Sequence, residues 1–251
     1  MPQPGALEIE TVNRRAWPAL EEIADGSWVA RFADGFTNRS NSIQCFDPKD
    51  DADLSARLAR LVVAYGERGI RPVFRITPLT GAAIVAELDR LGWSAYDESI
   101  VMLRPLDRAA LDIDAPFRIF SATDPEWIAA YGAFRGLDAR SLAAQARIHA
   151  NIAGPAGAVL VLDARGEPAA ATLAVVESGI CMIFNVATHP NRRRLGLGRA
   201  AVAACLAWGA RNGATWASLA VAADNRAALP LYSGLGFSET YRYRYRTPEA
   251  A

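Results

Sequence analysis

A basic, glycine-containing segment between an apolar strand and a long apolar helix contains the residue types best placed to bind an anion. It reads Val186-Ala187-Thr188-His189-Pro190-Asn191-Arg192-Arg193-Arg194-Leu195-Gly196-Leu197-Gly198-Arg199. The first turn of a helix presents N–H groups that have no intrahelical partner, and the positive end of the helix dipole lies there. Gly196 and Gly198 would let the oxygen atoms of an anion approach the backbone closely. The segment therefore predicts a cradle for a pyrophosphate.

A second segment follows at a fixed distance and reads Asn225-Arg-Ala-Ala228-Leu-Pro-Leu231-Tyr232-Ser-Gly-Leu-Gly236-Phe237. With the first, it resembles the GCN5-related N-acetyltransferases (GNAT proteins). The family's loop pattern Arg/Gln-x-x-Gly-x-Gly/Ala is met from Arg193 to Gly198, and its downstream pattern Asn-x-x-Ala-x-x-Leu-Tyr-x-x-x-Gly-Phe from Asn225 to Phe237. The resemblance covers about Phe117 to Tyr245.

This resemblance implies that acetyl-CoA, or another acyl-CoA, is the co-substrate and that no metal takes part. The acyl-pantetheine arm would lie like an added strand in a gap between two splayed strands, held by backbone groups of Val186 and Thr188. The implied coenzyme-binding residues are Val186, Ala187, Thr188, Arg193, Arg194, Leu195, Gly196, Leu197, Gly198, Arg199, Asn225, Ala228, Leu231 and Tyr232. Pro230 should loosen the helix unless the helix begins close to it.

The implied reaction is attack of an amine on a thioester. An alkylammonium with a pKa near 10 must lose a proton, and the departing thiolate must gain one. Tyr232 is the expected acid, and a backbone N–H near Val186 or Ala187 is expected to stabilise the oxyanion.

The general base is not fixed by the pattern. The strand Ile180-Cys-Met-Ile-Phe-Asn-Val186 lacks the acidic residue that many relatives carry there. Glu177, Glu239 and a chain of water molecules are the alternatives, and Glu177 is the residue we name. Asn185 cannot take a proton at neutral pH, and His189 is expected to be a loop residue.

The elements that must position these residues follow from apolar periodicity. In the second half we expect strands at Phe117–Phe120, Ala158–Asp163, Ala169–Val176, Ile180–Ala187, Trp216–Val221 and Tyr241–Arg246. We expect helices at Pro125–Phe134, Ser141–Asn151, Gly198–Arg211 and from about Asn225. In the first half we expect helices at Trp17–Ala24, around Leu54–Tyr65 and at Ala82–Leu91, with strands at Ser27–Ala33, Asn41–Phe46, Pro72–Ile76 and Ile100–Leu103.

The two halves show an internal repeat. Leu91-Gly92-Trp93-Ser94 and Leu235-Gly236-Phe237-Ser238 each follow a helix and precede a closing strand. Together with the resemblance, this repeat implies an α/β (α+β) fold class with two GNAT-like domains, each a mixed, centrally splayed sheet flanked by helices. We expect a degenerate domain at residues 1–105, a linker at 106–116 and the catalytic domain at 117–251.

The first half lacks the residues that the resemblance requires. Leu88 stands at the place of Tyr232, and the acidic segment Phe46–Asp53 stands at the place of the glycine loop. This half is expected to be structural or to recognise the acceptor. The polar segment Gly35–Ser42 is either a hairpin or domain contact, or part of the acceptor site through Arg39 and Asn41.

The segment Tyr241-Arg-Tyr-Arg-Tyr-Arg246 predicts a strand with three tyrosines on one face and three arginines on the other. Either the strand is simply half-exposed, or the tyrosines line the acceptor pocket.

Composition excludes several classes. The 251 residues carry a formal net charge of zero, which gives no support for nucleic acid or an anionic membrane as partner. The three cysteines are widely spaced, so a disulfide framework or zinc site is not expected. The apolar run Ala200–Ala210 is too short to span a bilayer, and we expect a cytosolic protein. Nothing predicts the oligomeric state.

The sequence thus predicts an acyl-CoA-dependent N-acyltransferase that moves an acetyl group to a primary amine of a small molecule or peptide. The alternative is a non-catalytic acyl-CoA sensor, favoured by the missing acidic residue and opposed by Tyr232. A nucleotide-binding module is disfavoured, because the glycines lack the Lys-Ser/Thr of a P-loop.

Overall fold

The computed structural model describes residues 2–107 and 113–249. The helices are α1 (Ala6–Ala16), α2 (Leu54–Glu67), α3 (Ala82–Arg90), α4 (Pro125–Arg135), α5 (Ala139–Ala150), α6 (Leu197–Arg211) and α7 (Ala228–Gly234). The strands are β1 (Glu21–Asp25), β2 (Trp28–Phe32), β3 (Ile43–Cys45), β4 (Phe74–Ile76), β5 (Trp93–Pro105), β6 (Phe117–Phe120), β7 (Ala156–Leu162), β8 (Pro168–Glu177), β9 (Ile180–Thr188), β10 (Trp216–Ala222) and β11 (Ser238–Pro248).

These elements confirm the predicted order from β2 onward, with ends shifted by a few residues. The prediction of a helix at Trp17–Ala24 is wrong. The helix lies before it, at Ala6–Ala16, and β1 follows at Glu21–Asp25. Pro18 explains the error. A proline disfavours helical geometry in the residue before it, so α1 ends before Trp17.

All eleven strands form one continuous sheet in the order β1-β2-β3-β4-β11-β5-β10-β9-β8-β7-β6. The last strand of each half is inserted next to the other half. Strand β5 of the first half lies between β11 and β10, and β11 of the second half lies between β4 and β5. The mixed sheet with flanking helices confirms the predicted class, and the halves share it without a break.

The internal repeat is visible in the backbone. Each half contains a parallel strand pair, β3 with β4 and β9 with β10, joined through a helix. Gly92 and Gly236 both have positive φ values, 70° and 82°, where the chain leaves a helix for its closing strand. Glycine tolerates this conformation without strain.

The sheet buries apolar side chains on both faces. On one face of the second half, α6 and α7 pack on a core that includes Ile183, Leu219 and Tyr232. On the other face, α1, α4 and α5 pack on a core that includes Met182 and Phe184. Helix α1 contacts β8 and β9, so the N-terminal helix covers part of the second half's sheet.

Part of the predicted linker, residues 108–112, lies outside the described residues. Within residues 2–107 and 113–249, no helix is both long and apolar enough to cross a membrane.

Candidate active site

A gap opens in the middle of the sheet between β9 and β10. The two strands pair in parallel from Ile180 opposite Trp216 to Ile183 opposite Leu219, and the pairing stops there. Beyond this point the facing edges of both strands carry backbone N–H and C=O groups that the neighbouring strand does not satisfy. An extended ligand can add itself to such an edge as a strand.

A bulge lies in β9 at the start of this gap. Leu173 is opposite Phe184 while Ala171 is opposite Ala187, so β9 has one extra residue. Asn185 is the extra residue. It has a φ of 55°, a conformation that asparagine tolerates better than most residues. Its Nδ2 lies 3.3 Å from Nε2 of buried His149. A bulge bends its strand and re-aims the residues beside it, so this one sets the course of the backbone near Val186 where the gap begins.

The loop after β9 leads directly into the N-terminus of α6. Gly196 has a φ of 77° and no side chain caps the helix, so the first-turn N–H groups remain available. A Cβ on Gly198 would lie 3.0 Å from Thr188 Oγ1 and 3.6 Å from a methyl group of Leu231. Gly196 is thus required for backbone geometry and Gly198 for space between β9 and α7.

The arginines of this loop divide into one structural residue and three free ones. Arg192 Nε donates to Asp163 Oδ2 at 2.8 Å and ties the loop to the β7–β8 hairpin. Arg193, Arg194 and Arg199 are exposed, and none forms an ion pair with a residue that the structure describes. Their charges can therefore meet an anionic ligand at the helix N-terminus.

Tyr232 lies on α7, on the same face of the sheet as α6. It is 6% exposed, and burial raises the pKa of its hydroxyl to about 12. That hydroxyl makes no hydrogen bond to a described residue, so it remains available as a donor. Asn225 Oδ1 accepts from the N–H of Ala228, the first residue of α7, at 3.1 Å. Pro230 falls in the first turn, where no intrahelical bond is lost.

A narrow cavity lies on the opposite face, where β9 and β10 part. Met182 and Phe184 of β9 and Ser218 and Ala220 of β10 line it, together with Ile9, Glu10, Asn13, Arg39, Arg75, Val101, Leu219 and Tyr241. Glu10 and Arg75 are each 2% exposed and form an ion pair. Tyr241 Oη donates to Glu10 Oε1 at 2.6 Å. Among the described residues that line the cavity, Glu10 is the only one with a carboxylate.

Glu177 does not lie at this cavity. It is opposite Ile180 at the far end of the β8–β9 hairpin. Ile180 lies six residues before Val186, or roughly 20 Å along a strand. It pairs with Arg15 at 3.3 Å. This separation excludes direct proton transfer between Glu177 and an amine at Val186. Glu239, the other carboxylate considered, is exposed and pairs with Arg242 at 2.7 Å.

His189 is a loop residue in the structure. Its Nδ1 accepts from the N–H of Asn191 at 3.1 Å and caps the short turn Pro190–Arg192. This supports the expectation that it is not the base.

The tyrosines and arginines of β11 separate as the alternation predicts, except for Arg246, which is half-buried and donates from Nη1 to the Trp93 carbonyl at 2.7 Å. Tyr243 and Tyr245 are each 5% exposed, Tyr241 lines the cavity, and Arg242 and Arg244 are exposed. One tyrosine of the three thus reaches the candidate acceptor side.

In the first half, the segment equivalent to the glycine loop is closed by its own charges. The Asp50 carboxylate accepts from Arg57 Nη1 at 2.7 Å and from the Ser27 N–H at 2.7 Å. These bonds hold the pKa of Asp50 well below its usual range. Leu88, at the place of Tyr232, is completely buried. At these two places the first half therefore offers neither an anion cradle nor an acid.

No group of His, Cys, Asp or Glu suited to a metal ion occurs in the described part of the chain. The three cysteines are free and buried. Sequence reasoning missed Glu10, Arg75 and His149, which lie far from the motifs along the chain. Glu and Arg are rarely buried, and burial would have marked Glu10 and Arg75 as unusual. Burial is known only from the structure, so the sequence could not supply this signal.

Comparison with known proteins gives a consistent assignment. Residues 6–246 match the family described as "Probable histone acetyltransferase Rv0428c C-terminal". The chain is similar to the uncharacterized N-acetyltransferase YobR of Bacillus subtilis, with 24% identity over 246 residues, covering 95% of this chain and 97% of that protein. It is also similar to the [ribosomal protein bS18]-alanine N-acetyltransferase of Escherichia coli, with 36% identity over 85 residues, covering 34% of this chain and 57% of the other.

Two solved structures share the fold over nearly the whole chain. A GCN5-related N-acetyltransferase from Kribbella flavida superposes with a TM-score of 0.74 at 17% identity, covering 98% of this chain and 96% of that one. A tandem GNAT protein from the clavulanic acid biosynthesis pathway superposes with a TM-score of 0.68 at 14% identity, covering 97% and 89%.

Proposed function

The chain belongs to the GCN5-related N-acetyltransferase superfamily, within the family matched over residues 6–246, and we propose that it transfers an acetyl group from acetyl-CoA to a primary amine by direct attack. It is an N-acetyltransferase by this membership. The observation that carries the proposal is the gap between β9 and β10, which ends beside the uncapped N-terminus of α6.

The coenzyme would occupy one continuous path. Its pyrophosphate would bind the N–H groups from Leu195 to Arg199, with Arg193 and Arg194 beside it. Its pantetheine arm would add to the β9 edge at Val186 and Thr188. Both the free backbone groups and the unpaired arginines support this placement.

The chemistry needs one new bond and one broken bond. The amine nitrogen attacks the thioester carbon, a tetrahedral oxyanion forms, and the C–S bond then breaks. Backbone N–H groups turned by the Asn185 bulge would stabilise the oxyanion. The Tyr232 hydroxyl would donate its proton to the departing sulfur, since its raised pKa keeps it protonated at neutral pH.

The amine proton needs a second acceptor on the other face of the sheet. We propose Glu10, because it is the carboxylate residue of the cavity and already accepts from Tyr241 Oη at 2.6 Å. A proton given to the Tyr241 oxygen can pass to Glu10 as the tyrosine's own proton moves on. This residue replaces Glu177, which lies at the wrong end of the hairpin.

The proposal is tested by calorimetric titration with acetyl-CoA and by thiol release with a panel of amines. Gly196→Asp should weaken acetyl-CoA binding at least about tenfold, because it adds a negative charge to the cradle and strains a left-handed backbone position. Gly213→Asp is the matched control, since Gly213 has a φ of 86° and open space around it at the other end of α6.

Each outcome separates the candidate functions. Binding with thiol release on an amine supports the enzyme. Tight binding without turnover on any amine favours the acyl-CoA sensor. Absence of binding in the wild type, or equal affinity in both glycine variants, overturns the placement of the coenzyme.

A further inference from the structure

The guanidinium of Arg39 lies at the candidate acceptor side without an ionic partner. It belongs to the short turn Asn38–Ser40 of the first half. Its Cζ is 5.0 Å from the ring centroid of Phe184 and 5.6 Å from that of Trp17. Among residues 2–107 and 113–249, no carboxylate pairs with it and its guanidinium donates no hydrogen bond. A charged side chain so placed is available to a ligand.

The turn that carries Arg39 is held in place by buried polar groups. Asn41 Oδ1 accepts from the N–H of Ala33 at 2.7 Å, and its Nδ2 donates to the carbonyl of Thr37 at 2.8 Å. Arg31, which is completely buried, donates to the Arg39 carbonyl at 2.8 Å. Asn41 is thus used to shape the loop, and Arg39 alone projects its charge toward β9.

The charges around the narrow cavity do not cancel. Glu10 and Arg75 neutralise each other as an ion pair, and Arg39 adds an uncompensated positive charge. A low-dielectric site with one excess positive charge favours an anionic group in its ligand.

A larger cleft lies on the other side of the turn that carries Arg39 and has the same sign of charge. It has a volume of about 880 Å³ and lies between first-half residues and α5. Arg68 pairs with Glu21 and Arg147 with Asp34, while Arg71 and Arg140 have no ion pair to a described residue. Asn38 and Asn41 line this cleft on one side of the turn, and Arg39 lines the cavity. The turn Asn38–Ser40 therefore lies between the larger cleft and the gap between β9 and β10.

From these observations we infer that the acceptor is a small amine carrying a carboxylate, of the amino-acid type, and that Arg39 binds this carboxylate. The inference rests on the proposed function, because it names the second substrate of the same site. The acceptor would enter through the arginine-lined cleft, and its amine would reach the gap beside Phe184. The first half would then supply substrate recognition.

The test compares amino acids with their carboxamides, which have the same size and amine but lack the negative charge. The wild type should prefer the acids in kcat/KM by at least about thirtyfold, the range of a charge-assisted contact in a buried site. Arg39→Gln should reduce this ratio to about one through a raised KM for the acids, with the carboxamides changed less than about twofold. Arg211→Gln, at the exposed end of α6, is the control and should keep the ratio.

Three results would overturn the inference. They are equal use of acids and carboxamides by the wild type, a preference for cationic amines, and an Arg39→Gln variant that loses both acceptors equally. Acetyl-CoA titration of the same samples distinguishes failure of this inference from failure of the proposed function. If acetyl-CoA binds and a neutral amine is acetylated without an acid preference, only this inference fails. If acetyl-CoA does not bind, the proposed function fails with it.

Discussion

Asn185 and His149 show how a single buried contact can shape the proposed reaction centre. Asn185 supplies the extra residue of the β9 bulge, and its amide lies against the His149 imidazole. His149 Nδ1 lies 2.8 Å from the carbonyl of Ala122, so that nitrogen donates and Nε2 is left as an acceptor. The histidine missed by the motif is therefore a positioning residue for the strand that the motif identified.

Replacement of His149 tests this role through the pH dependence of stability. Burial lowers the pKa of His149 from 6.5 to about 4. The unfolded chain therefore takes up a proton below pH 6.5 while the folded chain does not, and the free energy of unfolding should fall by about 2 kcal/mol between pH 7 and pH 5 from this group. His149→Gln should lose this component of the slope in urea titrations. Replacing the other histidine, His189→Gln, should keep it, and an unchanged slope in both variants would contradict the assignment.

Tyr232→Phe should lower kcat by about a hundredfold or more, because the thiolate would leave without a proton donor. Since the pKa of Tyr232 is raised to about 12, the loss should be constant from pH 6 to pH 9. The packing of the ring against Phe237 is retained, so acetyl-CoA affinity should change little. Full activity in the variant at any pH in this range would remove Tyr232 from the mechanism.

Glu10→Gln keeps the shape of the side chain but cannot take a proton, so it tests the base. It should reduce kcat for the amine reaction by about a hundredfold while leaving acetyl-CoA affinity intact. Glu8→Gln changes an exposed carboxylate of the same helix and should have no effect. The loss should be smaller at pH 9 than at pH 7, because more of the amine is then already deprotonated. A loss of kcat that is the same at both pH values would contradict the role of Glu10 as the base.

At the scale of elements, strand β9 and its loop depend on neighbours that anchor them. The β7–β8 hairpin holds the loop through Asp163, whose pKa is lowered to about 2 by the hydrogen bond from Arg192. The same carboxylate accepts from the N–H groups of Arg165 and Glu167 at 2.8 and 3.1 Å. The hairpin that the sequence marked as a turn thus also supports the loop that we propose binds the coenzyme.

Asp163→Asn should raise the dissociation constant for acetyl-CoA about threefold to tenfold, because Arg192 would lose its charged partner while the amide oxygen could still accept the turn's N–H groups. The value of kcat at saturating coenzyme should stay the same. Calorimetry measures the dissociation constant, and initial rates at saturating coenzyme measure kcat. Glu167→Gln, an exposed change on the same hairpin, is the control. A fall in kcat without a change in affinity would contradict an anchoring role.

Elements near the motifs were predictable because their signals are local. The run from Leu197 to Arg211 is mostly apolar and begins directly after Gly196, and Leu54–Glu67 has helical spacing, so both helices follow from periodicity. Helix α1 was missed since its apolar positions, Ile9, Val12 and Ala16, are few and Glu10 among them is buried by an ion pair. Periodicity cannot anticipate a buried carboxylate whose partner is Arg75, far along the chain.

The strand exchange was equally hidden from the sequence. Alternation in Tyr241–Arg246 correctly predicts a strand with one buried face, but it does not specify the neighbouring strands. Both neighbours of β11, β4 and β5, lie in the first half. Pairing between distant strands depends on the whole sheet. The order of elements therefore predicted the repeat, but only the structure shows how the strands of the two halves pair with each other.

At the scale of the whole molecule, the exchange makes the two halves dependent on each other. Without the first half, β11 would lose both of its partners and β10 would expose the edge that now pairs with β5. Ile100 and Met102 of β5 also belong to the core beneath α6 and α7. We therefore expect fragment 117–249, produced alone, to aggregate and to bind acetyl-CoA at least about tenfold more weakly, because an unpaired apolar edge promotes association.

A graft can show that loss of strand β5, rather than the shortening of the chain, causes the aggregation and the weaker binding of acetyl-CoA. Pro248 lies opposite Trp93 in the β11–β5 register, so a short glycine-containing turn can join β11 to a second copy of Trp93–Pro105 as a hairpin. This fragment should be monomeric by light scattering and should recover acetyl-CoA binding. It should still lack acid-selective acetylation, because Arg39 and Glu10 would be absent. A plain 117–249 fragment that is monomeric and binds acetyl-CoA with wild-type affinity would show that the second half folds independently of the exchange.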